Sequence, residues 1–126
     1  MKELIIDRSK WRFGGDHDNL DGKYGPTELL NSKGYMCCLG FYSKDLCKVP
    51  KKYLVGVPTP ECIPVKHKYK VHRFINKNIL PAYTFWNNAI EINDVFRGEK
   101  EERELLIINL FKEIDVNVSF INEYPE

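Results

Sequence analysis

The chain has 126 residues, a formal net charge of +1, 43% hydrophobic residues and 29% charged residues. This composition excludes a disordered tail, a collagen-like fibre and a coiled coil, and about two-thirds of the unfolded surface can be buried at this size. The longest apolar run, Leu105–Ile108, is too short to span a membrane, and Met1–Asp7 meets an acid too early for a secretory signal. We therefore expect one cytoplasmic domain over residues 1–126.

The first part of the chain predicts a strand, a loop, a turn and a helix. Lys2–Asp7 has the apolar centre of a short strand, and the glycines that follow it predict a loop. Asn31–Gly34 predicts a turn. In Met36–Lys48, apolar residues recur at spacings of three and four, which predicts a helix despite Gly40.

The rest of the chain predicts an irregular middle, two helices and a final strand. Prolines crowd residues 50–81, so we expect extended chain there, with a strand near Tyr69–Phe74. Helical spacing of apolar residues predicts helices over Thr84–Phe96 and Glu99–Ile114, and Val116–Phe120 alternates like a half-buried strand. The predicted fold class is α+β, with two or three helices packed on a small antiparallel or mixed sheet that includes the N- and C-terminal strands.

Charge is nearly balanced in total but unevenly distributed. Residues 48–90 carry eight basic side chains against Glu61 alone, whereas residues 91–126 carry four basic and ten acidic side chains. Two interpretations stay open. Either the two segments pair within the fold or across a subunit interface, or Lys66–Arg73 presents its cations to phosphates. The acidic end disfavours a DNA or RNA polymer as partner, and a compact phosphorylated ligand fits a local basic patch better.

The cysteines and the acidic loop predict no metal and no cofactor. Cys37, Cys38 and Cys47 are expected to pack as small reduced hydrophobes, although a composite zinc site with Cys62 and either His67 or His72 stays open. The stretch from His17 to Glu28 imitates a calcium loop only in part and is better explained as a polar turn. No set of nucleophile and base is evident, so the sequence favours a protein that is not an enzyme and has no catalytic residue.

Six residues are candidates for ligand binding, because together they offer aromatic faces, an amide and guanidinium groups to a purine and its phosphates. Asn93 followed by Asp94 could equally cap a neighbouring element without any ligand. The six candidates are Arg12, Tyr83, Trp86, Asn93, Arg97 and Arg103.

The chain also carries blocks that are similar to those of small phage- and prophage-encoded proteins. They are Trp11-Arg12 before a glycine loop, Lys33–Phe41 with its Cys-Cys-Leu-Gly core, Ile92-Asn93-Asp94, and Glu102-Arg103-Glu104 leading to the last strand. Within that group the chain most resembles the Thoeris anti-defence sponges. Phe13 departs from the pattern, which has glycine directly after the arginine.

The resemblance implies a phage anti-defence protein that sequesters a cyclic nucleotide immune signal in the cytoplasm of the infected bacterial cell without cleaving it. The implied ligand is a cyclic ADP-ribose isomer such as 1''-3' gcADPR, with cyclic trinucleotides captured by some members at separate sites, and the implied assembly is a dimer or hexamer. We expect substitution of Arg12 or Asn93 to abolish retention of the ligand while leaving the fold intact. The alternatives are a phage inhibitor that masks a host protein, and a small cytosolic hydrolase or zinc module.

Overall fold

The computed structural model describes residues 2–14, 27–76 and 80–125, and within them the fold is α+β. The chain begins with strand β1 (Lys2–Asp7) and ends with strand β2 (Val116–Ile121). Four α-helices lie between them in the described residues: α1 (Cys38–Phe41), α2 (Val65–His72), α3 (Ala82–Ile90) and α4 (Lys100–Lys112). None of these helices is long and apolar enough to cross a bilayer.

The two strands form a parallel sheet, in which Leu4 lies opposite Val118 and Ile6 opposite Phe120. The prediction that the first and last strands pair is confirmed, but the predicted antiparallel or mixed sheet is wrong. Helix α4 precedes β2 and packs against it, and the turn at Asp115 then sends β2 along β1 in the same direction. Parallel neighbours need such a crossover, which here comprises most of the described chain.

The described residues form four α-helices rather than the two or three expected, because a fourth helix, α2, lies in the basic middle. Two of the predicted helices also continue as π-helical turns. Helix α1 continues into Tyr42–Leu46, and α3 continues into Glu91–Val95. The predicted helix over Met36–Lys48 is confirmed, and so are the helices predicted near Thr84–Phe96 and Glu99–Ile114. Gly40 is required in α1, since a Cβ there would lie 1.8 Å from the Leu29 carbonyl oxygen.

The strand expected near Tyr69–Phe74 is wrong, because Tyr69–His72 belong to helix α2 and Arg73 and Phe74 form the turn that follows it. Lysines that alternate with Tyr69 and Val71 imitate the two-residue period of a strand, yet Val71 alone in this helix is fully buried. Pro64, with φ of −52°, directly precedes α2, just as Pro81, with φ of −59°, directly precedes α3. The fixed φ of proline favours helix entry at both positions. The Tyr42 hydroxyl donates to the Val71 carbonyl oxygen at 2.6 Å, which fixes the last turn of α2 against the core.

The core lies between the inner face of the sheet and the helices. Leu4, Ile6 and Val118 on the strands contact a cluster of aromatic side chains that α1, α3 and α4 supply. Tyr42 lies at the centre of this cluster, with Trp86 and Phe111 within 6 Å of its ring centroid. These contacts hold the helices on one face of the two-stranded sheet and leave the outer face, with Ile5, exposed.

Candidate functional site: a lysine cavity beside the Asn31 turn

Two short backbone pairings outside the sheet bring distant segments together. Trp11 pairs with Met36, and Leu30 pairs with Val55, each as an isolated parallel bridge. Beside these pairings lies a cavity of about 450 Å³, which we call the lysine cavity. Its polar lining consists of Lys10, Lys44 and Lys51 together with the turn residues Asn31 and Ser32.

Asn31 organises the turn that forms one wall of the lysine cavity. Its side chain is almost fully buried, with 3% of the residue exposed. The side-chain Oδ1 accepts the backbone N–H groups of Lys33 and Tyr35, each at 2.9 Å. These two donors fix which end of the amide is oxygen, so the nitrogen Nδ2 is the atom that has no hydrogen-bond partner among the residues the structure describes. A buried amide N–H without an acceptor is costly, and a ligand oxygen would satisfy it.

The charges around the lysine cavity are predominantly positive. Lys44 donates to the Asp45 carboxylate at 2.8 Å, which offsets part of its charge. Lys10 and Lys51 are exposed, and among the described residues neither ammonium group forms an ion pair within 4.0 Å. The Lys10 charge does act on the nearby Asp7 carboxylate, whose pKa it helps to lower after the hydrogen bonds from Ser9 and Asn122. No carboxylate lines the cavity within the described part of the chain. The cavity therefore offers two exposed cations, with Lys10 also near the Asp7 carboxylate, and one unpaired amide donor to an anion.

Asn93 lies in the core rather than on a ligand-facing surface, with 2% of the residue exposed. Its Oδ1 accepts from the Trp11 indole nitrogen at 2.8 Å and from the Cys38 backbone N–H at 3.1 Å. Its Nδ2 donates to the Arg12 carbonyl oxygen at 3.0 Å and to the Asp94 carboxylate at 2.8 Å. Both polar atoms of the amide thus form hydrogen bonds within the protein. This agrees with the alternative that Asn93 serves the structure rather than a ligand.

The same π-helical turn holds both ends of the segment between residues 14 and 27. The Gly14 N–H donates to the Asn93 carbonyl oxygen at 2.7 Å, and the Thr27 N–H donates to the Asp94 carboxylate at 3.1 Å. The calcium-like stretch from His17 to Glu28 lies almost wholly outside the described residues. Asn93 and Asp94 therefore act as an anchor for the backbone on either side of that stretch.

Arg103 is also buried, with 5% of the residue exposed, and its guanidinium lies between two aromatic rings. The guanidinium carbon is 4.5 Å from the Phe13 ring centroid and 5.5 Å from that of Phe96. Its Nε donates to the Ile92 carbonyl oxygen at 3.0 Å, and an Nη donates to the Phe96 carbonyl oxygen. Burial, followed by the nearby Arg97 charge, lowers the pKa of Arg103. Phe13, which interrupts the pattern of the resembled proteins, is one of the two rings that enclose this cation.

Arg12 and Arg97 are the two candidate arginines that reach the surface. The Arg12 guanidinium carbon lies 3.5 Å from the Tyr35 ring centroid, a close cation–π stack, and Arg12 also lines a smaller cavity of about 280 Å³ with Phe13 and Tyr124. Arg97 is exposed, and its guanidinium donates to the Asp94 carbonyl oxygen at 3.2 Å. Arg12, Asn93, Arg97 and Arg103 are therefore gathered around one π-helical turn.

The two aromatic candidates on α3, Trp86 and Tyr83, differ in how far they are exposed to solvent. Trp86 is 1% exposed, and its indole nitrogen donates to the Glu61 carboxylate at 2.7 Å. Its ring packs edge-on against Phe85 and His72 in the core. Tyr83 is 69% exposed and is free to meet a ligand at the surface. None of the six candidates lines the lysine cavity.

The thiols are poorly suited to nucleophilic chemistry. Cys37, Cys38 and Cys47 are buried and unpaired, as predicted, and Cys62 is exposed. Burial raises the pKa of both Cys37 and Cys47 to about 12, and it raises the pKa of Cys38 as well. For Cys37 and Cys38, which lie at the start of α1, desolvation therefore outweighs any lowering of the pKa by the helix. Among the described residues, no cluster of His, Cys, Asp and Glu could hold a metal ion, so the composite zinc site is not formed.

The residues of the lysine cavity were only partly visible in the sequence. Lys10 lies in the basic stretch before the glycine loop, and Asn31 lies in a predicted turn, but nothing local connects them to Lys44 and Lys51. A comparison of the chain with protein-family models, curated proteins and solved structures finds no match. The function must therefore be argued from the site itself.

Proposed function

We propose that the protein binds a small nucleotide carrying more than one phosphate group, holds these phosphates in the lysine cavity, and retains the ligand without cleaving it. One observation carries the proposal: Asn31, 3% exposed, has an amide nitrogen with no acceptor and lines a cavity flanked by lysines. A phosphate oxygen accepts hydrogen bonds readily and brings negative charge that would neutralise the lysine ammonium groups. The cavity volume, about 450 Å³, lies within the range of small-ligand sites.

The arrangement favours retention over turnover. A phosphate held by lysine ammonium groups gains mainly Coulomb attraction, whereas cleavage would need a nucleophile and a base in contact. Three of the four thiols are buried, with pKa values raised by burial, and His67 packs on Tyr53 at 4.5 Å between ring centroids. Sequestration requires tight binding alone, which these groups can supply.

The proposal includes the ligand and setting that the sequence resemblance implies. The nucleotide would be a cyclic ADP-ribose isomer such as 1''-3' gcADPR, or a cyclic trinucleotide, sequestered by a phage anti-defence protein that associates with copies of itself. Arg12 stacked on Tyr35 supports this choice, because Met36 pairs with Trp11 and so places the stacked pair next to the turn of the lysine cavity. A purine stacks on such a planar cationic and aromatic surface.

Calorimetry against a panel of cyclic nucleotides, with pyrophosphate as a minimal probe, tests the proposal. We expect binding that the double variant K10E/K51E abolishes. N31D is the sharper variant, because it keeps the oxygen that organises the turn and replaces the unpaired donor with a carboxylate oxygen. We expect it to weaken binding at least about tenfold, the equivalent of one hydrogen bond to a charged group.

The double variant K2E/K112E is the matched control, since it makes the same change in net charge at exposed positions outside the cavity. Heating the complex should release intact ligand, which mass spectrometry identifies. Recovery of a cleaved product would contradict retention. Binding that N31D and K10E/K51E leave unchanged would contradict the site, and co-purification with one host protein and no nucleotide uptake would favour the inhibitor instead.

A further inference from the structure

A groove with an apolar floor and an acidic rim runs between α3, its π-helical turn and α4. It has a volume of about 300 Å³, and we call it the acidic groove. Ile92, Leu106 and Leu110 line it, flanked by Glu91 and Glu113. Both carboxylates are exposed, and in the described chain neither is bonded to a cation. Leu106 is 38% exposed, and its neighbour Leu105 is 58% exposed, so an apolar surface stands open beside uncompensated negative charge.

Helix α2 presents the opposite chemistry. Val65 is 83% exposed and Tyr69 is 63% exposed, and their spacing of four residues places them on one face. By helical spacing Lys66 and Lys70 lie along one side of this face and Lys68 along the other, and α2 contains no acidic residue. The Lys66 ammonium also lies 4.9 Å from the centroid of the Tyr53 ring. An apolar pair between lysines is a surface that fits an apolar floor between carboxylates.

We infer that the exposed face of α2 of one copy docks into the acidic groove of a second copy, so that identical chains associate head to tail. Since α2 and the groove each remain exposed, they do not cover one another within one chain. The inference rests on the self-association included in the proposed function and names its interface, while the lysine cavity takes no part in it.

The geometry of such an interface has a consequence for the assembly. The two surfaces are different, so each docked copy leaves one free helix and one free groove. Head-to-tail contacts of this kind close into a ring when the rotation between copies allows it, and otherwise extend as a filament. Opposite charges at the rim make the association sensitive to salt, because ions screen exposed pairs.

Light scattering on two complementary double variants tests the inference. E91K/E113K reverses the groove and keeps α2, whereas K66E/K70E reverses the helix and keeps the groove. We expect the wild-type protein to have a mass above 14.8 kDa and to dissociate at least about tenfold more readily between about 50 mM and about 500 mM salt. Each variant alone should be monomeric, and an equal mixture of the two should associate again, because each supplies the intact surface that the other lacks.

Controls separate this inference from changes in fold and from the nucleotide site. E101K/E123K makes the same change in net charge as the groove variant at exposed positions outside the groove, and it should assemble like the wild type. Circular dichroism verifies that each variant is folded, and K10E/K51E should assemble while failing to bind nucleotide. A monomeric wild-type protein, assembly that survives both reversals, or two monomeric variants that fail to associate on mixing would overturn the inference.

Discussion

Replacing Asn93 with alanine should destabilise the fold before it affects any ligand. The substitution leaves two buried donors, the Trp11 indole N–H and the Cys38 backbone N–H, without their shared acceptor. An unsatisfied buried group costs about 1–3 kcal/mol, so the pair costs about 2–6 kcal/mol of a total stability of about 5–15 kcal/mol. This network therefore predicts a substantial cost to the fold, contrary to the expectation that Asn93 can be substituted while leaving the fold intact.

Thermal and urea unfolding of N93A measure this cost. At about 3–5 °C per kcal/mol for a domain of this size, we expect the melting temperature to fall by about 6–30 °C. N87A is the matched control, because Asn87 is exposed on the same helix and should lie within about 0.5 kcal/mol of the wild type. If N93A melted within a few degrees of N87A, the hydrogen-bond network around Asn93 would be refuted.

N93D refines the test through pH. It keeps one acceptor oxygen but turns the other toward the Arg12 carbonyl oxygen and the Asp94 carboxylate, so its pKa in the folded state is raised above the unfolded value. A group of this kind stabilises the fold when protonated, and that contribution is lost as pH rises through the folded pKa. The stability deficit of N93D against the wild type should therefore be larger at about pH 8 than at about pH 5.

Three further predictions concern the sheet, the first helix and the thiols. The Arg8 guanidinium donates two hydrogen bonds of 2.8 Å to the Glu104 carboxylate and lowers the pKa of Glu104. The pair therefore stabilises the fold above the pKa that Glu104 has in the unfolded chain, and this contribution is lost as pH falls through the pKa of the folded state. E104Q should cost about 1–3 kcal/mol in urea unfolding at neutral pH and flatten the acid limb of the pH profile, and an unchanged limb would contradict the pairing. G40A should cost about 1–3 kcal/mol, because a Cβ there would meet the Leu29 carbonyl oxygen at 1.8 Å, and a melting temperature equal to that of the wild type would refute that close approach. Cys62 alone should react with a thiol reagent in the native state, as counted by mass spectrometry, and rapid labelling of a second cysteine would contradict the burial of the others.

Local patterns predicted the parts of the fold that are defined locally. Both strands and the long helix α4 follow from their periodicity, since each buries one regular face. The direction of β2 could not be predicted in the same way, because it depends on where α4 returns the chain. Helix α2 was mistaken for a strand because Val71 is its only buried residue, and a single buried residue has no period.

The site was harder to predict than the fold because polar residues are assumed to lie at the surface. Asn93 and Arg103 were chosen as ligand contacts for their chemistry, yet packing places them inside, where backbone carbonyls and aromatic rings satisfy them. The lysine cavity joins residues 10, 31, 44 and 51 through pairings that no local pattern marks. Only the close packing of four distant segments reveals that these residues meet.

The parallel pairing of β1 with β2 also determines when the protein can fold during synthesis. Leu4 and Ile6 emerge from the ribosome before their partners Val118 and Phe120, which follow only after more than a hundred further residues. Until then the first strand has an unpaired edge in a nascent chain, and such edges are prone to aggregation. The sheet must therefore close late, after the helices between the strands have been translated.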